Sequence, residues 1–209
     1  LVRAWAIALS RVLGIDVDVR GTPPRPPFLL VCNHLSYVDV LVLAAHVDAS
    51  FVAKAEIARW PLVGRLCRAV DTLFVDRGSK RALPEAVEQL GSWLENGRGV
   101  VLFPEGTSSD GSSVLPFRSP LLEIAAAGGW PVSYAALSYA VAPEDPPARV
   151  AVCWWGEAGF LGHLWGLLAL ARIRARVVFG AAPICESDRK LLASKLWTAV
   201  EATRRVSSG

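Results

Sequence analysis

The sequence predicts a single α/β domain, a largely parallel central sheet flanked by helices, with an amphipathic helix at its N-terminus. Three observations predict it. Short runs rich in β-branched residues alternate with segments whose apolar residues recur at three- and four-residue steps, the pattern of parallel strands joined by crossover helices. Breaks rich in Pro and Gly separate these runs. Polar and charged residues follow directly after several of the apolar runs, where the carboxyl edge of an open sheet would lie.

Along the chain, residues 1–20 read as an amphipathic, membrane-proximal helix, with Trp5, Ala8, Leu9 and Val12 on one face and Arg3 and Arg11 elsewhere. The stiff segment from Gly21 to Pro27 separates it from the main domain, residues 21–209. Strands are expected at 28–32, 50–53, 73–76, 99–103, 132–138, 149–154 and 174–179. Helices are expected near 36–45, 79–95, 120–127, 159–171 and 187–204. Within 79–95, Leu83, Val87, Leu90 and Leu94 form the apolar stripe, Pro84 sits in the opening turns and Gly97 supplies the stop. Ala142 to Pro147 reads as a surface loop.

Composition narrows the function. Of 209 residues, 53% are hydrophobic and 20% charged, which excludes disorder. No Gly period or heptad seam supports a collagen-like or coiled-coil chain. The net charge of +3, from 22 basic and 19 acidic residues, is too small an excess for a nucleic-acid binder. Cys32, Cys67, Cys153 and Cys185 lie far apart without metal-ligand spacing. They are expected to be reduced core thiols, with no metal site and a preference for the cytoplasmic side. No clean run of about 20 apolar residues is present. Residues 158–171 carry Leu161, Leu164, Trp165, Leu167 and Leu168, with Arg172, Arg174 and Arg176 just after. This is either a buried helix or a segment lying in a membrane interface. The chain starts at Leu1 and contains no Met, so a natural start and a short hydrophobic anchor are expected upstream.

Four segments carry candidate chemistry. In Val31-Cys-Asn-His-Leu-Ser-Tyr-Val-Asp39, Asp39 follows His34 by five residues. That step turns about 140° on a regular helix, so the pair would not share a helical face. His34 therefore belongs in the loop before the helix, with Asp39 one turn in and able to hold one imidazole nitrogen. Ser36-x-x-Asp39 is equally a capping-box pattern, and both readings stand. In Val100 to Thr107, Glu105 precedes Gly106, whose freedom at positive φ would admit backbone donors to an oxyanion; a plain turn with a solvated Glu is the alternative. Arg77 after residues 72–76 and Lys54 after 51–53 each place a cation past a strand, as an anion clamp or as a surface charge. Together these groups would converge on one sheet edge.

The same motifs resemble the glycerolipid (lysophospholipid) acyltransferase family, of the 1-acylglycerol-3-phosphate acyltransferase type, from about Val19 to Arg204. Asn33-His34-x4-Asp39 matches its first block. Lys54-x-Glu56, Trp60-Pro-Leu-Val-Gly64 and Phe74-Val-Asp-Arg77 resemble the second. Phe103-Pro-Glu-Gly-Thr107 matches the third, and Trp130-Pro131-Val132 resembles the fourth. Phe103 to Gly111 and Leu164 to Phe179 look closest to the bacterial branch that includes lyso-ornithine lipid acyltransferases. The chain departs from the pattern at Asp71, where Gly is usual, at Arg118-Ser119-Pro120, where a Lys and a small residue are usual, and at Tyr134, which replaces a Pro.

The resemblance implies O-acyl transfer to the hydroxyl of a lysolipid, 1-acyl-sn-glycerol-3-phosphate, or alternatively lyso-ornithine lipid. It implies His34 as general base oriented by Asp39, Asn33 and the Gly106 backbone at the oxyanion, and Arg77, Lys54, Glu105 and Thr107 at the acceptor. No metal or cofactor is implied beyond acyl-ACP (acyl carrier protein) or acyl-CoA (coenzyme A) as co-substrate. The partners implied are the lysolipid, the thioester and a membrane surface, and no nucleic acid. The place implied is the cytoplasmic face of a bacterial inner membrane. Two competitors remain: an acyl hydrolase using Ser108 or Ser109, although no G-x-S-x-G elbow occurs, and a lipid-binding module using Trp5, Trp154, Trp155 and Trp165.

Overall fold

The computed structural model describes residues 2–60, 63–76 and 81–207. Within them, seven strands form one sheet in the order β1-β7-β6-β2-β5-β3-β4. The strands are β1 (Ile15–Arg20), β2 (Phe28–Cys32), β3 (Ala49–Lys54), β4 (Leu73–Val75), β5 (Gly99–Leu102), β6 (Val132–Val141) and β7 (Ile173–Phe179). The helices are α1 (Val2–Val12), α2 (Val38–Ala44), α3 (Val63–Ala69), α4 (Ala82–Glu95), α5 (Glu123–Gly128), α6 (Ala148–Ala151), α7 (Phe160–Leu168) and α8 (Arg189–Ser207). β2 to β6 run parallel, with Leu30 facing Val101 on β5 and Ser133 on β6. β7 is antiparallel to β6, and β1 is parallel to β7.

The continuous apolar run of β2 has a simple cause: both faces of the sheet are covered. Phe28, Leu30 and Cys32 face a layer that includes α1 and α2, while Leu29 and Val31 face α4, α5 and α8. All five residues of β2 are buried. α4 fills its side of that layer with Ala86, Leu90 and Leu94, and its buried Gly91 makes room for the Ile124 side chain. The helix stops where Gly97 adopts φ 79° and the Gly97 and Arg98 amides donate to the carbonyls of Leu94 and Trp93.

The strand order places the site. The chain leaves β2 through α2 on one face to reach β3, and leaves β5 through α5 on the other face to reach β6. β2 and β5 are neighbours whose connections depart in opposite directions, so a crevice opens between their carboxyl ends.

Several sequence expectations change. Residues 15–20, assigned to the N-terminal helix, form the edge strand β1. The alternation Ile-Asp-Val-Asp-Val-Arg puts Asp16 and Asp18 outward, where they pair with Arg172 and Arg176 of the β7 side at 3.0 Å each. Charges on an edge strand also oppose unwanted pairing. α1 buries Ala6 and Ser10 against the body, leaving Trp5 and Val12 on the exposed side of the helix. Arg3 Nε donates to the Ala45 carbonyl at the end of α2. Residues 149–154, expected as a strand, form α6 and an irregular segment. Pro147 precedes the helix, and both edges of β6 are already occupied by β2 and β7. Of the four cysteines, Cys32, Cys67 and Cys153 are buried and Cys185 is exposed; all are free thiols.

A Cβ at Gly97 would meet no atom within 4 Å, so only the backbone conformation resists substitution. Gly97→Ala is expected to lower the free energy of unfolding by about 1 kcal/mol, read from urea denaturation.

Candidate active site

Beyond the last residue of β2, the Asn33 side chain takes over from the backbone. Its Nδ2 donates to the Leu137 carbonyl at 3.0 Å and its Oδ1 accepts the Leu137 amide at 2.7 Å. This buried amide locks the loop after β2 to β6. Asn33 was expected to contact an oxyanion; its amide group instead serves this lock.

The loop then delivers His34. Its Nδ1 lies 2.7 Å from Asp39 Oδ2, and its ring stacks on Phe103, with centroids 4.2 Å apart. Asp39, in the first turn of α2, is fully buried, whereas the His34 side chain is 23% exposed. A carboxylate can only accept, so Nδ1 carries the proton, and in the neutral ring Nε2 is the nitrogen with the free lone pair. Asp39 Oδ2 also accepts the amides of Leu35 at 2.6 Å and Ser36 at 3.0 Å, and Oδ1 accepts the Tyr139 hydroxyl at 2.7 Å. One carboxylate thus holds the imidazole and also accepts the Ser36 amide, the half of the capping-box pattern that reaches back ahead of α2. The capping box itself is incomplete, because Ser36 Oγ is buried without a hydrogen-bond partner.

The loop after β5 grips His34 from its other side. Glu105 Oε1 accepts the His34 amide at 2.7 Å, and Oε2 accepts the Leu115 amide at 3.0 Å. The Ser109 amide donates to the His34 carbonyl at 2.9 Å. Glu105 is 2% exposed, and burial pushes its carboxyl up to about 7 against the two amides that pull it down. Its geometry braces two loops, rather than reaching for an acceptor as expected. Gly106 takes φ 74°, as expected of a turn, but its amide donates to the Phe103 carbonyl at 3.1 Å, closing the turn instead of facing an oxyanion.

The remaining described site candidates, Lys54 and Thr107, make no hydrogen bond to this pair. Lys54 is exposed at the end of β3, Thr107 is exposed in the loop, and Arg77 lies outside the described residues. Asp71 adopts φ 54°, a left-handed conformation that accounts for Gly being usual there, and its carboxylate pairs with Arg98.

Neither of the two candidate hydrolytic serines has its hydroxyl directed at the His34 ring. Ser108 Oγ donates to the Trp154 carbonyl, and Ser109 Oγ lies 3.5 Å from the His34 carbonyl. Burial, with the charges of Asp39 and Glu105, pushes the Cys32 thiol well up, so it stays protonated. Among the described residues, no group of three or more His, Cys, Asp or Glu side chains could hold a metal ion.

Three features escaped the sequence reading. Tyr139 lies one residue past the expected end of its strand; the signal was its place in the Ala135, Leu137, Tyr139 row on one face of β6. An apolar cavity of about 200 Å³ opens beside Phe103, lined also by Val52, Val75, Leu83, Leu102 and Leu121. Tyr37, between His34 and Asp39, packs edge-on against Trp154 and Phe160 and hydrogen-bonds His163 Nδ1 of α7 at 3.0 Å.

Glu105 generates a pH dependence. Its folded-state pKa is raised, so the folded protein binds the proton more tightly and this favourable term is lost as pH rises from about 4.5 to about 7. Across that window the parent is expected to lose stability relative to Glu105→Gln by up to about 1.4 kcal/mol per pH unit, read from urea denaturation at each pH.

The Acyltransferase family model matches residues 16–138. The lyso-ornithine lipid O-acyltransferase of Rhizobium meliloti is 37% identical over 193 residues, covering 87% of this chain and 66% of that protein. The 1-acyl-sn-glycerol-3-phosphate acyltransferase of Neisseria meningitidis is 31% identical over 193 residues, covering 91% of this chain and 74% of that protein. The chain thus spans about two thirds to three quarters of the length of these relatives. The crystal structure of the 1-acyl-sn-glycerophosphate acyltransferase of Thermotoga maritima superposes with a TM-score of 0.74 at 22% identity, over 100% of this chain and 78% of that one, a likeness of fold. A match over more than half its length, on a fold that family member shares, means that the chain belongs to the Acyltransferase family.

Proposed function

We propose that the protein transfers a fatty acyl group from a thioester, carried by acyl carrier protein or coenzyme A, to the hydroxyl of a lysolipid. The observation that carries this reading is the 2.7 Å contact between His34 Nδ1 and the buried Asp39, which leaves Nε2 as a base on a partly open ring. Nε2 takes the proton of the acceptor hydroxyl while its oxygen attacks the thioester carbonyl. Asp39 stabilises the imidazolium that forms. The tetrahedral intermediate collapses, the C–S bond breaks, and the departing sulfur takes the proton back from Nε2. Ester and thiol are the products, and no covalent acyl-enzyme is formed. The apolar cavity beside Phe103 suits part of the acyl chain, which gains about 0.8 kcal/mol per buried CH₂.

The acceptor we assign first is 1-acyl-sn-glycerol-3-phosphate, with Arg77 and Lys54 toward its phosphate. Lyso-ornithine lipid is a second reading, favoured by the 37% identity to the Rhizobium protein of that name. One acyl donor tested with both acceptors separates them. His34→Ala is expected to lower transfer by about 10²–10⁴-fold while the circular dichroism spectrum and cooperative unfolding persist. Parent-like turnover in this variant would remove the mechanism.

The lipid substrate implies a bilayer surface, on the cytoplasmic side of a bacterial inner membrane in this reading. Among the described residues, no helix is long and apolar enough to cross a membrane. α7 instead exposes Leu161, Trp165 and Leu168, beside exposed Trp155. The Tyr37 to His163 hydrogen bond ties this helix to the catalytic loop. Such a face, followed by Arg172 and Arg174, suits an interface with anionic lipid. Replacing Leu161 by Asp and Trp165 by Ser is expected to reduce co-flotation with anionic vesicles by about tenfold or more. Undiminished flotation would exclude this face.

A further inference from the structure

We infer that Tyr139 is a positioning residue of the acyl-transfer site, setting how strongly Asp39 holds the catalytic imidazole. The inference rests on the His34 reading above. Three donors, His34 Nδ1 and the amides of Leu35 and Ser36, converge on Asp39 Oδ2, and the Tyr139 hydroxyl holds the other oxygen at 2.7 Å. The phenol comes from β6, whereas the other three donors belong to the loop that carries Asp39. It therefore ties the carboxylate to the rigid sheet. Tyr139 and the Asn33–Leu137 lock lie two residues apart on that strand, so one segment of β6 sets both the loop and the carboxylate.

Behind the ring is a cavity of about 250 Å³, lined by Tyr139 with Leu35, Asp110, Arg149, Cys153 and Arg204. The Tyr139 hydroxyl supplies Asp39 with a polar contact of the kind a buried carboxylate requires. Burial and the Asp39 charge push the phenol well above its usual range, so it remains a donor.

The consequence for catalysis has a definite sign. A carboxylate shared among four donors has its charge dispersed. Removing the Tyr139 donor concentrates that charge on the bond to His34, favours the imidazolium, and withholds the base at a higher pH. Other groups face the site from several elements: Cys32 of β2, Glu105 after β5, Cys153 after α6, Asp110 and Arg149 across the cavity, and Arg204 of α8. The thiols are held protonated by burial, Cys153 pushed up to about 12. Glu105 spends its two oxygens on the His34 and Leu115 amides, not on Tyr139, so its titration is common to the parent and to a Tyr139 variant.

The test uses the full chain and Tyr139→Phe, which keeps the ring and removes only the hydroxyl. The acidic limb of the kcat/KM profile is expected to move up by about one pH unit, with the KM of the thioester unchanged. In ¹⁵N-histidine-labelled protein, the His34 Nδ1–H resonance, identified by its absence from His34→Gln, is expected to move downfield. A structural role alone would lower stability and leave limb and resonance in place, and that result overturns the inference. Should Tyr139→Phe not fold, 3,5-difluorotyrosine at 139, a stronger donor of nearly the same shape, is expected to shift both readouts the opposite way. No shift with that residue equally overturns the inference. Loss of the base role of His34 would appear as an active His34→Ala variant, whereas the resonance reports on Tyr139 regardless of turnover.

Discussion

A carboxylate with no exposure to solvent needs compensation from several donors, and in this protein the compensation of Asp39 organises the surrounding structure. An ion of this kind costs several kcal/mol to bury when left unpaired. Here two backbone amides, an imidazole and a phenol share it. Those donors come from the loop after β2 and from the end of β6, so satisfying one charge fixes two neighbouring parts of the sheet edge. The imidazole is oriented as part of the same arrangement, so the positioning of His34 and the burial of the charge have a single cause.

The same economy applies to Asn33 and Glu105. Each stands beside or near His34 in sequence or space, and each uses its polar atoms on backbone groups. Asn33 replaces a strand pairing just where β2 ends, and Glu105 joins the His34 amide to the Leu115 amide. A loop at the carboxyl edge of a sheet leaves backbone donors and acceptors without ladder partners, and buried ones must be paired. Side chains supply those partners here, which holds the loop after β2 in place without regular structure. The raised pKa of Glu105 reflects the balance between its burial and its two amide donors.

The apolar composition divides between two uses. Much of it fills the layers on either side of the sheet, but α7 and its approach leave Trp155, Leu161, Trp165 and Leu168 exposed together. Scattered exposed apolar side chains are ordinary in a folded protein, whereas several on one helix are the feature on which the proposed membrane-facing surface rests. The aromatic packing of Tyr37, Trp154 and Phe160 connects that helix to the loop between His34 and Asp39.

Much of this was legible in the sequence, because periodicity and spacing are local properties. The apolar run of β2, the stripe of α4 with its Gly97 stop, and the five-residue step from His34 to Asp39 each follow from dihedral preferences, burial or helical geometry. The strand at 15–20 was missed since the pairing of its outward Asp residues with Arg172 and Arg176, more than 150 residues away in the chain, is not visible locally. The helix at 148–151 was read as a strand because β-branched residues alone do not reveal that both edges of β6 are taken. Sequence by itself determined the α/β class and the candidate base with its carboxylate. Only the tertiary structure decided the strand order that opens a crevice between β2 and β5, the bracing duties of Asn33 and Glu105, and the phenol of Tyr139. The physical reason is that a buried polar group is defined by the partner that satisfies it, and these partners lie 71 to 104 residues apart in the chain.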